Sequence, residues 1–116
     1  MINSFRDLFV WQKSMFLVTE VYKVTSSFPD SETYGLKRQM RRSAVSVPSN
    51  IAEGYGRKST GDYNRFLQVS VGSLYELQTQ IELSLLLGFL EKISHAELMS
   101  STIELDRMLF SLIRKL

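Results

Sequence analysis

Cysteine is absent from this 116-residue chain, which removes disulfides, thiolate metal sites and cysteine nucleophiles together. That suits a reducing compartment, and a cytoplasmic location is expected. Histidine occurs once, at His95 beside Ser94, where it reads as an ordinary helix-start residue. No Glu-x-x-His sequence is present, so a bundle-core di-metal site of the carboxylate type has no support. Long apolar runs are missing too. The longest, Leu83 to Leu90, spans eight residues, less than half of the roughly 20 that a bilayer crossing needs. Arg6, Asp7 and Lys13 interrupt the N-terminal stretch, which therefore lacks the apolar core of a signal peptide. A soluble protein without membrane contact is expected. There is no Walker loop, and the glycines at Gly54 and Gly56 are too few and wrongly placed to cradle a phosphate. Nothing in the chain positions an acid, base and nucleophile together, so the reading is of a non-enzyme without cofactors or metal.

What is present is helical periodicity, in a chain of one-domain length whose 44% hydrophobic content can fill a core. A first helix is expected from near Ser4, with Asp7 completing a capping box and a seam at Leu8, Trp11, Met15, Val18, Tyr22 and Thr25. Phe5, Phe9, Val10, Phe16, Leu17 and Val21 widen its apolar surface beyond one seam, a surplus that a subunit contact would use. Pro29 should end it. The second helix is expected to start at Asp30 to Glu32. Its stripe of Leu36, Met40, Ala44, Val47, Ile51 and Tyr55 keeps phase across Pro48. One long helix kinked near Pro48 is the reading, with a break into two as the alternative. Ser59 and Asp62 look like a capping pair for a third helix whose seam runs Tyr63, Leu67, Ser70, Leu74, Leu77, Ile81, Ser84, with Gly88 as its cap. Ser94 and Glu97 suggest a capping box for the fourth, which runs through Ala96, Met99, Ile103, Leu109, Ile113 and Leu116. Four helical segments, short loops and no strand pattern predict an all-α, up-down-up-down four-helix bundle, one domain over residues 1–116.

Charge is distributed unevenly. Between Tyr34 and Arg65 the cations are Lys37, Arg38, Arg41, Arg42, Arg57, Lys58 and Arg65, against Glu53 and Asp62 alone. Seven against two is +5 locally; the whole chain is +2, so the remainder is −3. Arg38, Arg41 and Arg42 fall at i, i+3 and i+4 of a helix, where like charges repel unless a polyanion or acidic partner joins them. No acid lies between Lys37 and Asn50. A solvated face is the plainer reading, and contact with RNA or DNA is the functional one. Beside the apolar stripe lies a polar one of Gln39, Ser43, Ser46, Asn50, Glu53 and Arg57. There Gln39, Arg42, Ser46, Asn50 and Glu53 read as a polar network between helices or subunits. A local Glu53–Arg57 pair is the alternative.

The stretch FRDLFVWQKS, then VYKVTSSFPDSETYGLKRQMRRSAVSVPSNIAEGYGR, then FLQVSVGSLYELQTQIELS resembles the four-helix-bundle proteins encoded in intervening sequences of bacterial 23S ribosomal RNA genes. Its most specific part is Gln39, Arg42, Ser43, Ser46 and Pro48 to Gly54, followed by Gly72, Ser73, Leu74 and Glu76. That family is similar in fold to the accessory protein of diversity-generating retroelements, a basic homopentamer that partners a reverse transcriptase and binds nucleic acid. The resemblance implies a bundle that assembles into a ring, of five copies by preference, with RNA or DNA as one class of partner. A structural or protein-binding ring that scaffolds a partner enzyme is the other class.

Overall fold

The periodicity is realised in four helices: α1 over Phe9–Thr25, α2 over Leu36–Tyr55, α3 over Thr60–Leu86 and α4 over Lys92–Arg114. The computed structural model describes residues 1–116 and contains no strand. Each helix packs against its two neighbours around a ring, α1 with α2 and α4, α3 with α2 and α4, and the diagonal pairs do not meet. That is the up-down-up-down bundle. At 1.5 Å per residue the long α3 alone spans about 40 Å, which accounts for the long axis of the 43 × 24 × 20 Å molecule.

The core gathers Leu17 and Val21 from α1, Met40, Val47 and Ile51 from α2, Leu67, Leu74, Leu77 and Ile81 from α3, and Leu105 and Leu109 from α4. Four of the buried polar residues are satisfied within their own helices. Ser14, Thr25, Ser84 and Thr102 are buried, and each donates its hydroxyl to a carbonyl three or four residues earlier in its own helix.

The α3 seam is as its periodicity predicts, with Leu67, Ser70, Leu74, Leu77, Ile81 and Ser84 all buried. Ser59 caps it by accepting from the Asp62 amide at 3.1 Å. At its other end Gly88 has φ of +79°, which a side chain would resist, and the Phe89 and Gly88 amides reach back to the Ser84 and Leu85 carbonyls. This is the paired closure of a Schellman motif.

Elsewhere the structure corrects the expected boundaries and phases. Ser4 and Asp7 do form a capping box, but on a 3-10 turn over Phe5–Asp7, after which the chain extends at Leu8 and α1 begins at Phe9. The buried face of α1 is Val10, Ser14, Leu17, Val21 and Thr25, whereas Met15 and Tyr22 of the expected seam are exposed. With apolar residues nearly all round α1, sequence spacing fits more than one stripe, and packing chose the one containing Ser14. Asp30–Glu32 is likewise a 3-10 turn, and α2 starts at Leu36, whose amide donates to the Glu32 carboxylate at 2.9 Å. Glu32 thus neutralises a free first-turn amide from outside the helix. In α4 no Ser94 capping box forms, since the helix has already started at Lys92. Its buried residues are Leu98, Thr102, Leu105 and Leu109, and the expected Ile103 is exposed.

Pro48 is buried inside a continuous α2, so the two-helix alternative does not hold. Near the far end of α2, Gly54 lies against α3 with no room for a side chain. A Cβ there would sit 2.8 Å from Cβ of Phe66 and 3.3 Å from the Tyr63 carbonyl oxygen, whereas one at Gly72 would meet nothing within 4 Å. Gly54→Ala is therefore expected to destabilise by about 1–3 kcal/mol through overpacking, and Gly72→Ala to stabilise by about 0.5–1 kcal/mol through helix propensity. Chemical denaturation of both variants tests the assignment, and equal midpoints would contradict it.

Candidate functional site

The N-terminal half of α2 presents Lys37, Arg38, Arg41 and Arg42 beside the last turn of α1. With Tyr22, Thr33, Val45 and Ser46 they line an open cavity of about 580 Å³ that no acidic residue enters. The four cations are not equivalent. Arg41 is half-buried and turned back onto α1: its Nε donates to the Thr25 hydroxyl at 2.9 Å, its Nη2 to the Tyr22 carbonyl at 3.1 Å, and its guanidinium lies 4.2 Å from the centre of the Tyr22 ring. A cation at the C-terminus of α1 meets the negative end of that helix and one of its last carbonyls. Arg41 consequently has a structural task that the i, i+3, i+4 spacing did not reveal. Arg38 and Arg42 are exposed, one turn apart, and no carboxylate pairs with either. Lys37 is half-buried at the rim.

Arg57, Lys58 and Arg65 belong to a separate place. They stand at the α2–α3 corner, and about 20 Å of helix separates Arg42 from Tyr55. Arg57 pairs with Glu53 at 2.8 Å and Arg65 lies 3.6 Å from Asp62, while both guanidiniums sit over the Phe66 ring at 4.6 and 4.7 Å. The corner is a locally compensated cluster stacked on an aromatic. The seven cations therefore divide into the four at the cavity, the paired Arg57 and Arg65 of the corner, and Lys58, which is exposed there without a carboxylate partner.

On the opposite flank of α2 a polar seam joins it to α3. Ser43 donates to Glu76 at 2.5 Å, the Ser46 and Ser73 hydroxyls bond at 2.8 Å, and the buried Ser70 hydroxyl donates to the Val47 carbonyl at 2.9 Å. Asn50 turns its amide onto the Ser46 carbonyl and hydroxyl at 2.8 and 3.0 Å. Of the five residues read as a network, the chain itself brings Ser46 and Asn50 together. Gln39 and Arg42 are exposed beside them, and Glu53 pairs within its helix with Arg57. The network as read left out its α3 half, Ser73, Glu76 and Gln80, although Ser73 and Glu76 stand in the stretch that carries the family resemblance. Their steps of three and four beside the apolar seam were the available signal.

A groove of about 340 Å³ lies over this seam, lined by Gln39, Arg42, Ser43, Ser46, Ser73, Glu76 and Gln80, with no apolar residue among them. Arg42 and Ser46 line both it and the basic cavity, so the two are neighbours across one strip of α2. Shifted pKa values fall elsewhere. Burial and then the neighbouring Tyr55 raise that of Tyr63, and desolvation followed by the bond to Asp106 raises that of Tyr75. No group of three or more His, Asp or Glu side chains is placed to hold a metal ion, and no helix is long and apolar enough to cross a membrane.

A family model described as 23S rRNA-intervening sequence protein matches residues 6–111. The fold is similar to the crystal structure of a protein of unknown function from the S23 ribosomal protein family of Bacteroides thetaiotaomicron VPI-5482. That likeness has a TM-score of 0.81 at 20% identity and covers 90% of this chain and 97% of the other. No curated protein matches the chain.

The division among the arginines has a measurable consequence. Arg41→Ala should lower stability by about 1–3 kcal/mol, since a charge-assisted bond to the α1 terminus is lost, while Arg38→Ala should change it by less than about 0.5 kcal/mol. Thermal melts distinguish them; indifference to Arg41→Ala would show that the tie to α1 contributes nothing.

Proposed function

We propose that this chain, which belongs to the 23S rRNA-intervening sequence protein family, is a non-enzymatic bundle protein that binds RNA or DNA through phosphates held at the cavity between α1 and α2. One observation carries the reading: four cationic side chains line that cavity, and no acid does. Two of them, Arg38 and Arg42, keep their guanidiniums unpaired at the surface of a helix one turn apart. Such an arrangement repels itself and is relieved by a polyanion, whose phosphates also release counterions on contact. Because Arg41 is anchored, it gives the cavity a fixed cation between two exposed, unpaired ones.

A single copy offers too few contacts for tight binding. A homo-oligomer, with five copies favoured by the family resemblance, would repeat the cavity and convert weak contacts into simultaneous ones. Exposed apolar residues support assembly. Phe9 and Phe16 stand seven residues apart on α1, as do Ile103 and Phe110 on the neighbouring α4, and all four are exposed. Surface of that kind is what a subunit contact would cover.

The expected behaviour is retention of RNA and DNA at low salt with weak sequence preference, falling steeply as salt rises. Each lost phosphate contact should flatten the log-log slope by roughly 0.7 to 0.9. Arg38→Glu combined with Arg42→Glu should abolish retention without lowering the melting temperature, because neither side chain holds the fold. Filter binding across a salt series measures both. If the wild-type oligomer retains neither RNA nor DNA at low salt, the reading fails and a ring that scaffolds a partner protein takes its place.

A further inference from the structure

Two exposed apolar stripes flank α4, and each carries a charge near its centre. On α1, Phe9, Lys13 and Phe16 fall at i, i+4 and i+7 and so share one face, and Lys13 turns toward α4 by pairing with Glu104 at 2.9 Å. On α4, Ile103, Asp106 and Phe110 fall at i, i+3 and i+7, and Asp106 turns toward α3, accepting the Tyr75 hydroxyl at 3.1 Å. Glu104 and Asp106 are about 200° apart around α4 at 3.6 residues per turn, so the two stripes face different directions. Their four apolar residues are 43 to 76% exposed, and no cation of the chain pairs with Asp106. Beside Phe9 the surface opens into a groove of about 470 Å³ that Leu8, Met108 and Leu112 also line.

We infer that these stripes are the two halves of a head-to-tail contact between copies of this chain, the α1 stripe of one copy meeting the α4 stripe of the next. The inference rests on the assembly reading above. Antiparallel pairing sets Lys13 against Asp106. The four-residue step from Lys13 to Phe9 then matches that from Asp106 to Phe110, and the three-residue step to Phe16 matches that to Ile103. Phe110 of one copy enters the groove beside Phe9 of the other. Lys13 can hold both carboxylates, because an ammonium has three donors and Glu104 takes one. A two-fold contact would instead pair a stripe with itself and bring two Lys13, or two Asp106, together at its centre, where like charges oppose docking. Height along the bundle decides what the contact builds. Within one copy Lys13 already stands level with Glu104, which is two residues, about 3 Å, from Asp106. Copies joined from Lys13 to Asp106 are therefore nearly level, and contacts that turn without climbing close into a ring instead of a filament. Helix α2 enters neither stripe, so every copy keeps its basic cavity open.

The test breaks each half separately. Phe16→Glu and Phe110→Glu change exposed residues outside the core, so both variants should keep the helical circular dichroism of the wild type. Each should be a monomer, since each lacks one half of the contact. Mixed in equal amounts they should form a one-to-one dimer and nothing larger, through the intact α4 stripe of the first and the intact α1 stripe of the second. Light scattering of the wild type, both variants and the mixture reads all four masses. A variant that retains the wild-type mass, or a mixture that stays monomeric, overturns the head-to-tail contact while leaving assembly itself intact. Because the chain has no cysteine, cross-linking gives a second readout. Phe16→Cys together with Ile103→Cys in one chain should oxidise to a ladder of covalent multimers, and Phe16→Cys alone to none. A covalent dimer from the single variant marks a two-fold contact and overturns the inference. A monomeric wild type removes this inference and the assembly reading together.

Discussion

The close approach of α2 and α3 is the constraint on which the remainder of the molecule depends. It is the most extensive contact between helices, and beside its apolar core it carries a line of small and polar side chains. Gly54 lets the Phe66 and Tyr63 region come within van der Waals range of the α2 backbone, and Ser70 reaches the Val47 carbonyl directly. Ser43, Ser46, Ser73 and Glu76 then fix the register by specific bonds, so that a slide of one turn would strand several of them. The Ser70 bond reaches the carbonyl immediately before Pro48, which places an interhelical anchor beside the proline in α2.

Holding α2 in this way determines what its two flanks can do. Its inner face is committed to the core, its α3 flank to the polar seam, and its α1 flank carries the basic residues. Arg41 links that flank to the end of α1 and so sets the distance between the helices that wall the cavity. The exposed arginines on either side are free to meet a ligand because Arg41 has taken the structural task. By contrast the two arginines of the α2–α3 corner, Arg57 and Arg65, are held by Glu53, Asp62 and the Phe66 ring. Clustering along the sequence therefore overstated the site: the +5 stretch separates in space into two groups of different character.

How far the sequence disclosed the structure depends on how many faces of each helix are apolar. The α3 stripe was legible because Leu67, Leu74, Leu77 and Ile81 recur on one face with small residues between them, leaving one possible phase. For α1, aromatic and aliphatic residues surround the helix, so spacing alone could not separate the core face of Val10, Leu17 and Val21 from the exposed Phe9 and Phe16. The starts of α1 and α2 were misplaced because capping residues serve 3-10 turns as well as α-helices. Ser4 and Asp7 carry the right bonds on the wrong element. For the candidate site, the basic residues were legible from composition. The tie of Arg41 to Tyr22 and Thr25, sixteen or more residues away in sequence, was not, because only the packing of α1 on α2 creates it.

The central claim is that phosphates gather at the cavity of Arg38, Arg41 and Arg42 and not at cationic residues generally. Side-chain NMR of the arginine Nε–Hε groups during titration with single-stranded RNA at low salt tests this most directly. The account predicts that the Arg38 and Arg42 resonances shift and saturate together, while those of Arg57 and Arg65 move little because acids and an aromatic ring already hold them. Equal shifts at the corner arginines, or RNA binding that leaves Arg38 and Arg42 unmoved, would contradict it.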